Sequence, residues 1–288
     1  MPAEPTDHTM PSLAVRARVV HFRDVGQGEP VVLLHASSSS GGQWRALQAQ
    51  FAPCFRTLAV DLLGYGGTSD WDPAHELTSE DELELVEALI AHAGGGPIHL
   101  AGHSYGGLAA LKLALSRRVH LKTLTLIEPI AFWLLRLAGE VELYGEIRGV
   151  ADAFVSAYRR GAIEAAVEPY IDYWNGRAAW AGSPEGLREA IRATAGKTSR
   201  EWAPAFETDV PLSALADIDA PTLVIHGSKT NRTTRRICDL VRTTIPGARG
   251  VEIPGGGHMC PLTHPDAVNH AIAVHLGSAP MGVEAAAA

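Results

Sequence analysis

Apolar residues along this chain fall into two rhythms, short continuous runs and longer stretches in which they return at three- and four-residue spacing. The runs Val31 to Leu34, Arg56 to Asp61, Pro97 to Ala101, Leu121 to Ile127, Pro221 to His226 and Arg249 to Ile253 predict buried strands. Between them, Trp44 to Phe51, Thr78 to Ala93, Tyr105 to Leu115 and Pro265 to Leu276 carry the helical spacing. Strands that alternate with helices imply an α/β chain whose mostly parallel sheet is covered on both faces. Near the start, Val15 to Phe22 and Val31 to Leu34 flank the turn-rich Gly26-Gln27-Gly28-Glu29-Pro30 and read as a hairpin. Glu80, Asp81 and Glu82 suit the positive end of the helix they open.

Between Ile127 and Pro221 the pattern is helical and contains no convincing strand, which marks an insertion. The division expected is a core of residues 13–128 and 212–277, a helical cap over 129–211, and disordered termini at 1–12 and 278–288. Aromatic residues concentrate in the insertion, among them Phe132, Tyr170, Tyr173, Trp174 and Trp202. Most of them serve to pack a lid on the strand ends, and a few line an apolar pocket where they exclude water.

Composition narrows the function. A net charge of −8 without a cluster of Lys and Arg argues against nucleic acid and anionic membrane as partners. The densest basic run, Arg232 to Arg242, reads as a solvated helix face. Cys54, Cys238 and Cys260 match neither a disulfide framework nor a zinc spacing, and Cys260 reads as a small buried apolar residue. Met1 to Ser12 lacks a signal-peptide core, and no apolar run is long enough to span a bilayer, so a soluble, cytoplasmic protein is expected.

The chemistry concentrates in Gly102-His103-Ser104-Tyr105-Gly106-Gly107, placed between a strand pattern and a helix pattern. A serine hydroxyl is a poor nucleophile until a base takes its proton and amides receive the oxyanion. A sharp strand-to-helix turn flanked by Gly102 and Gly106 presents Ser104 for both, with the Tyr105 amide facing the reacting centre. The plainer reading is a glycine-rich turn with an incidental serine.

With this motif the chain resembles the α/β-hydrolase fold family over residues 15 to 276. His35-Ala36-Ser37 resembles the family's oxyanion loop, with Ala36 where glycine is usual, which makes the Ser37 amide the second oxyanion donor. Asp61 to Ser69 resembles a structural turn of the family, and Gly255-Gly256-Gly257-His258 resembles the loop of its catalytic histidine. The resemblance implies an eight-stranded type of sheet with an inserted cap, Ser104 as nucleophile, His258 as general base and no metal or organic cofactor. His35 and His103 are expected to orient backbone, and His226 to fill a polar gap.

One position departs from the family. Its acid often follows the strand equivalent to Thr222-Leu223-Val224-Ile225, yet here Gly227-Ser228-Lys229 leads to Thr230, and replacing Thr230 is expected to do little. Glu128 ends the preceding strand, and neighbouring strands lie only about 4.8 Å apart, so its carboxylate reaches the histidine loop from the other side. This resembles the acid placement of some haloalkane dehalogenases, whose aspartate nucleophile Ser104 replaces. The competing role for Glu128-Pro129 is to start the lid, and Asp266 reads as a first-turn acid of the last helix. The resulting expectation is a serine hydrolase acting on a small apolar or aromatic ester or lactone through an acyl-enzyme. Carbon–carbon hydrolysis, acyl transfer, cofactor-free oxygenation and non-catalytic ligand binding stand as alternatives.

Overall fold

The structure, a computed structural model, describes residues 10–70, 76–207 and 210–277. In chain order its strands are β1 (Ser12–Val15), β2 (Arg18–Val25), β3 (Glu29–Leu34), β4 (Phe55–Val60), β5 (Ile98–His103), β6 (Leu121–Ile127), β7 (Thr222–Gly227) and β8 (Arg249–Ile253). The core helices are α1 (Arg45–Phe51), α2 (Ser79–His92) and α3 (Tyr105–Ser116). The cap helices α4 (Trp133–Leu137), α5 (Val141–Arg159), α6 (Ile163–Asn175), α7 (Ala179–Gly182) and α8 (Glu185–Phe206) follow, all between β6 and β7. The chain closes with α9 (Arg232–Thr244), α10 (Cys260–Thr263) and α11 (Pro265–His275). No helix among the described residues is long and apolar enough to cross a membrane.

The sheet runs β1-β2-β4-β3-β5-β6-β7-β8, parallel from β4 through β8 and antiparallel where β2 meets β1 and β4. Side chains alternate between its faces. Val31 and Leu33 pack with Trp44, with Leu47 and Phe51 of α1 and with Val268 and Ile272 of α11, whereas Val32 and Leu34 join the core under α2 and α3. Each such side chain, fully buried, contributes about 1.5–3 kcal/mol.

One expectation about elements needs correction. The opening segments do not form a hairpin with each other, because β2 pairs with β4, and β3 lies between β4 and β5. Gly26 and Gly28 serve close approach: a methyl group would fall 2.2 Å from the Phe55 carbonyl oxygen at Gly26 and 2.6 Å from that of Cys54 at Gly28. The short hairpin is instead β1 with β2, turning at Arg16, whose φ is 54°. The basic face of α9 is solvated as expected, and its arginines also form exposed ion pairs. Arg232 pairs with Glu142 and Glu146 of α5, and Arg236 with Glu140 just before it, so these partly exposed pairs link the cap to the core.

The expected disorder of 1–12 and 278–288 lies outside the described residues except at 10–12, where the Pro11 carbonyl accepts from the Phe22 amide and Ser12 opens β1. The three cysteines are free; Cys238 and Cys260 are buried and Cys54 is exposed.

Candidate active site

Four strand ends converge at the C-terminal edge of the parallel sheet, where ligand sites of open α/β sheets form. Ser104 follows β5 at the turn into α3, with φ 55° and ψ −113°. Such a conformation costs about 1–3 kcal/mol in a non-glycine residue. Its surroundings hold it there: the Ser104 amide donates to the Ile127 carbonyl, and the Gly106 amide to that of His35. A methyl group at Gly102 would fall 2.2 Å from the Gly106 carbonyl oxygen, and one at Gly106 would fall 2.4 Å from that of Leu34. Both glycines are therefore required by close packing of strand, helix and the His35 loop.

The Glu128 backbone continues β6 by donating to the Ile225 carbonyl, and then turns with a φ of 45°. Its fully buried carboxylate accepts from the Gly227 amide at 2.8 Å, the Thr230 hydroxyl at 2.7 Å and His258 Nδ1 at 2.7 Å. A carboxylate only accepts, so Nδ1 carries the proton. His258 Nε2 is thereby left to accept from Ser104 Oγ, 3.0 Å away. Burial pushes the Glu128 carboxyl up, but the bond from His258, followed by those from Gly227 and Thr230, outweighs it and holds the group below the usual carboxylate range. Thr230, whose replacement is expected from the sequence to do little, donates its hydroxyl to Glu128 from the turn after β7.

The flanking histidines are structural. His103 Nε2 lies 2.8 Å from the His258 carbonyl and fixes that loop, while His35 Nε2 accepts from the Leu62 amide at 2.9 Å. Both rings therefore orient backbone. Burial pushes His35 down to about 4 and His103 to about 3. His226 Nδ1 lies 3.2 Å from the neighbouring Gly227 carbonyl and 3.9 Å from Glu252 Oε2. Asp61 accepts from the Gly41 and Gly67 amides, consistent with a structural turn, and Asp266 stands in the first turn of α11.

Ser37 and Ser104 line one cavity with Ile130, Tyr170, Trp174, Thr198, Glu201 and Trp202. Tyr105 opens α3, so its amide is among those without an intrahelical partner, at the positive end of the helix dipole. Trp174 of α6 stacks on His258, ring centroids 4.5 Å apart and planes at 27°. No group of three or more His, Cys, Asp or Glu among the described residues is placed to hold a metal ion.

Sequence reasoning missed a second buried cluster. Glu82 does not face the end of its helix; Asp81 does that, closing a capping box with Thr78. Glu82 turns inward and accepts from Lys197 Nζ of α8 at 2.7 Å and from Tyr105 Oη at 3.2 Å. Lys197 also donates to Glu201 at 3.1 Å, and Glu201 accepts from Ser37 Oγ at 2.5 Å. Burial pushes the Glu201 carboxyl up, against the pull of Lys197. The only trace in the sequence is Lys197 and Glu201 four residues apart on one helix, a spacing that usually marks a solvated pair.

A model of the Alpha/beta hydrolase family matches residues 31–271. The pimeloyl-acyl-carrier-protein methyl ester esterase of Aeromonas salmonicida is 26% identical over 253 residues, spanning 83% of this chain and 92% of that protein. The 2-hydroxy-6-oxo-6-(2'-aminophenyl)hexa-2,4-dienoic acid hydrolase of Metapseudomonas resinovorans is 25% identical over 264 residues, spanning 85% and 83%. The crystal structure of the enol-lactonase from Burkholderia xenovorans LB400 superposes with a TM-score of 0.74 at 20% identity, covering 93% of this chain and 100% of that one. At that identity the last likeness is one of fold.

Proposed function

This chain belongs to the alpha/beta hydrolase family, and from that premise we propose that it cleaves carboxylic esters or lactones through an acyl-enzyme on Ser104. The observation that carries the reading is the unbroken hydrogen-bond chain from Ser104 through His258 to Glu128, at 3.0 and 2.7 Å. His258 Nε2 takes the hydroxyl proton as Ser104 Oγ attacks the carbonyl carbon, and the developing oxyanion is received by the Ser37 and Tyr105 amides. Glu128, ionised and bound to Nδ1–H, keeps the imidazole in the required tautomer and stabilises the imidazolium. Trp174 lies against that ring, where its face favours the cation and keeps water away. Collapse of the tetrahedral intermediate passes the proton from Nε2 to the leaving alcohol, and water repeats the cycle from the other side.

The substrate class is a small apolar or aromatic acyl compound, since Ile130, Tyr170, Trp174 and Trp202 supply most of the cavity wall. A panel of esters and lactones of graded acyl length tests the reading. The expected result is a burst of about one alcohol per chain, with the acyl mass found on Ser104. Absence of both turnover and a Ser104 adduct across the panel would refute it.

A further inference from the structure

The cavity over Ser104 has one charged wall. Glu201 is 2 % exposed, shares the cavity with Ser37 and Ser104, and accepts from Ser37 Oγ and Lys197 Nζ. Lys197 is equally buried and also bonds Glu82, with its Nζ 4.5 Å over the Tyr105 ring. Two carboxyl groups and one ammonium are costly to bury, several kcal/mol per ion, and apolar residues of similar volume would pack the cap at least as well. The cluster is therefore poorly explained by stability alone.

Its geometry suggests a use. Lys197 occupies Glu201 Oε1, Oε2 accepts from the Ser37 hydroxyl, and the Tyr65 hydroxyl also bonds this carboxylate, which leaves the group one lone-pair site to offer. A serine Oγ lies at most about 4 Å from its own amide nitrogen, so Oε2 stands within about 6 Å of the amide assigned to the carbonyl oxygen. That distance suits a substituent two or three bonds from the scissile carbonyl. Nε1 of both Trp174 and Trp202, whose rings line the same cavity, is buried with no hydrogen-bond partner among the described residues. A hydroxyl answers both needs, donating to a carboxylate and accepting from an indole N–H. A second cation would instead crowd the Lys197 ammonium.

We propose that Glu201, braced by Lys197 against Ser37, is a specificity-determining residue that binds a hydroxyl on the acyl part of the substrate, so that hydroxyacyl esters and lactones are preferred over their deoxy counterparts. The inference rests on the Ser104–His258–Glu128 reading. Its test compares kcat/KM for 4-nitrophenyl 3-hydroxybutanoate, butanoate and 3-aminobutanoate. The unmodified protein is expected to favour the hydroxy ester over butanoate about 10-fold or more. Glu201→Gln brings the ratio close to one, because Lys197 can only donate and so turns the carboxamide oxygen toward itself and the NH2 toward Ser37. Should that variant not fold, the pair Lys197→Met with Glu201→Leu removes both charges together and is expected to abolish the preference likewise.

Equal rates on hydroxy and deoxy esters in the unmodified protein overturn the inference and leave the hydrolase reading intact. So does a preference that survives substitution, or an amino ester that outruns the hydroxy ester. Turnover of none of the three, with no acyl adduct on Ser104, overturns the hydrolase reading and the inference with it.

Discussion

Glu128 holds its charge in a dry site because three donors converge on it, and one of them is the imidazole it orients. Removing the charge while keeping the shape isolates its role: Glu128→Gln is expected to lower kcat/KM about 100-fold or more. Thr230→Val removes one donor and leaves the carboxylate in place, so a loss of about 3- to 10-fold is expected from steady-state kinetics on the same ester. Equal and small effects would remove Glu128 from the mechanism. Ser104 and Glu128 were readable because each stands at a strand end, and His258 because it follows the last strand in a glycine-rich loop. Glu201 and Lys197 were not, because their partners are Ser37, 164 residues distant, and Glu82, 115 residues distant. Only tertiary packing turns an ordinary charged helix face into a pocket wall.

At the scale of elements, α6 and α8 close over Ser104 and leave a narrow cavity in which the centre of a water molecule has about 10 Å³ to move. Admission of an ester is therefore expected to require the cap to move. The cap is fastened to α9 through Glu146, whose carboxylate accepts from Arg232 and from Tyr173 Oη of α6. Rapid-mixing measurements of acylation are therefore expected to plateau with ester concentration at the rate of opening. Glu146→Ala should raise that plateau a few-fold, since partly exposed pairs of this kind hold about 1 kcal/mol or less. A rate that climbs without limit, or a plateau insensitive to Glu146, would show that the cap does not gate the site. The buried strands and the helices were legible as runs and periodicities. The pairing of β2 with β4 was not, because a turn-rich linker specifies a reversal of the chain but not which strand receives it.

Across the whole molecule, two buried neutral histidines make stability depend on pH. His35 and His103 take up protons only near 4 and 3 when folded, while an unfolded chain protonates them near pH 6.5. Both folded values are depressed, so this stability is present above pH 6.5 and is lost as the pH falls toward them. Around pH 5 the unfolded chain holds about two more protons at these sites, a slope of about 2.7 kcal/mol per pH unit. Urea unfolding measured from pH 7 to 4.5 is expected to include that slope, and His35→Gln should remove about half of it. An unchanged slope would mean that His35 ionises in the folded protein. Glu128, held low, gives up its own contribution as the pH falls through the usual carboxylate range toward its folded value, and so adds to the slope only at the acid end of this window.

All of the chemistry depends on Ser104 being a nucleophile activated by His258. Incubation with a fluorophosphonate followed by peptide mass analysis tests this directly. One adduct per chain, located on Ser104 and lost in His258→Ala, is the predicted result. A serine that stays unmodified, or one labelled equally well without His258, would contradict it.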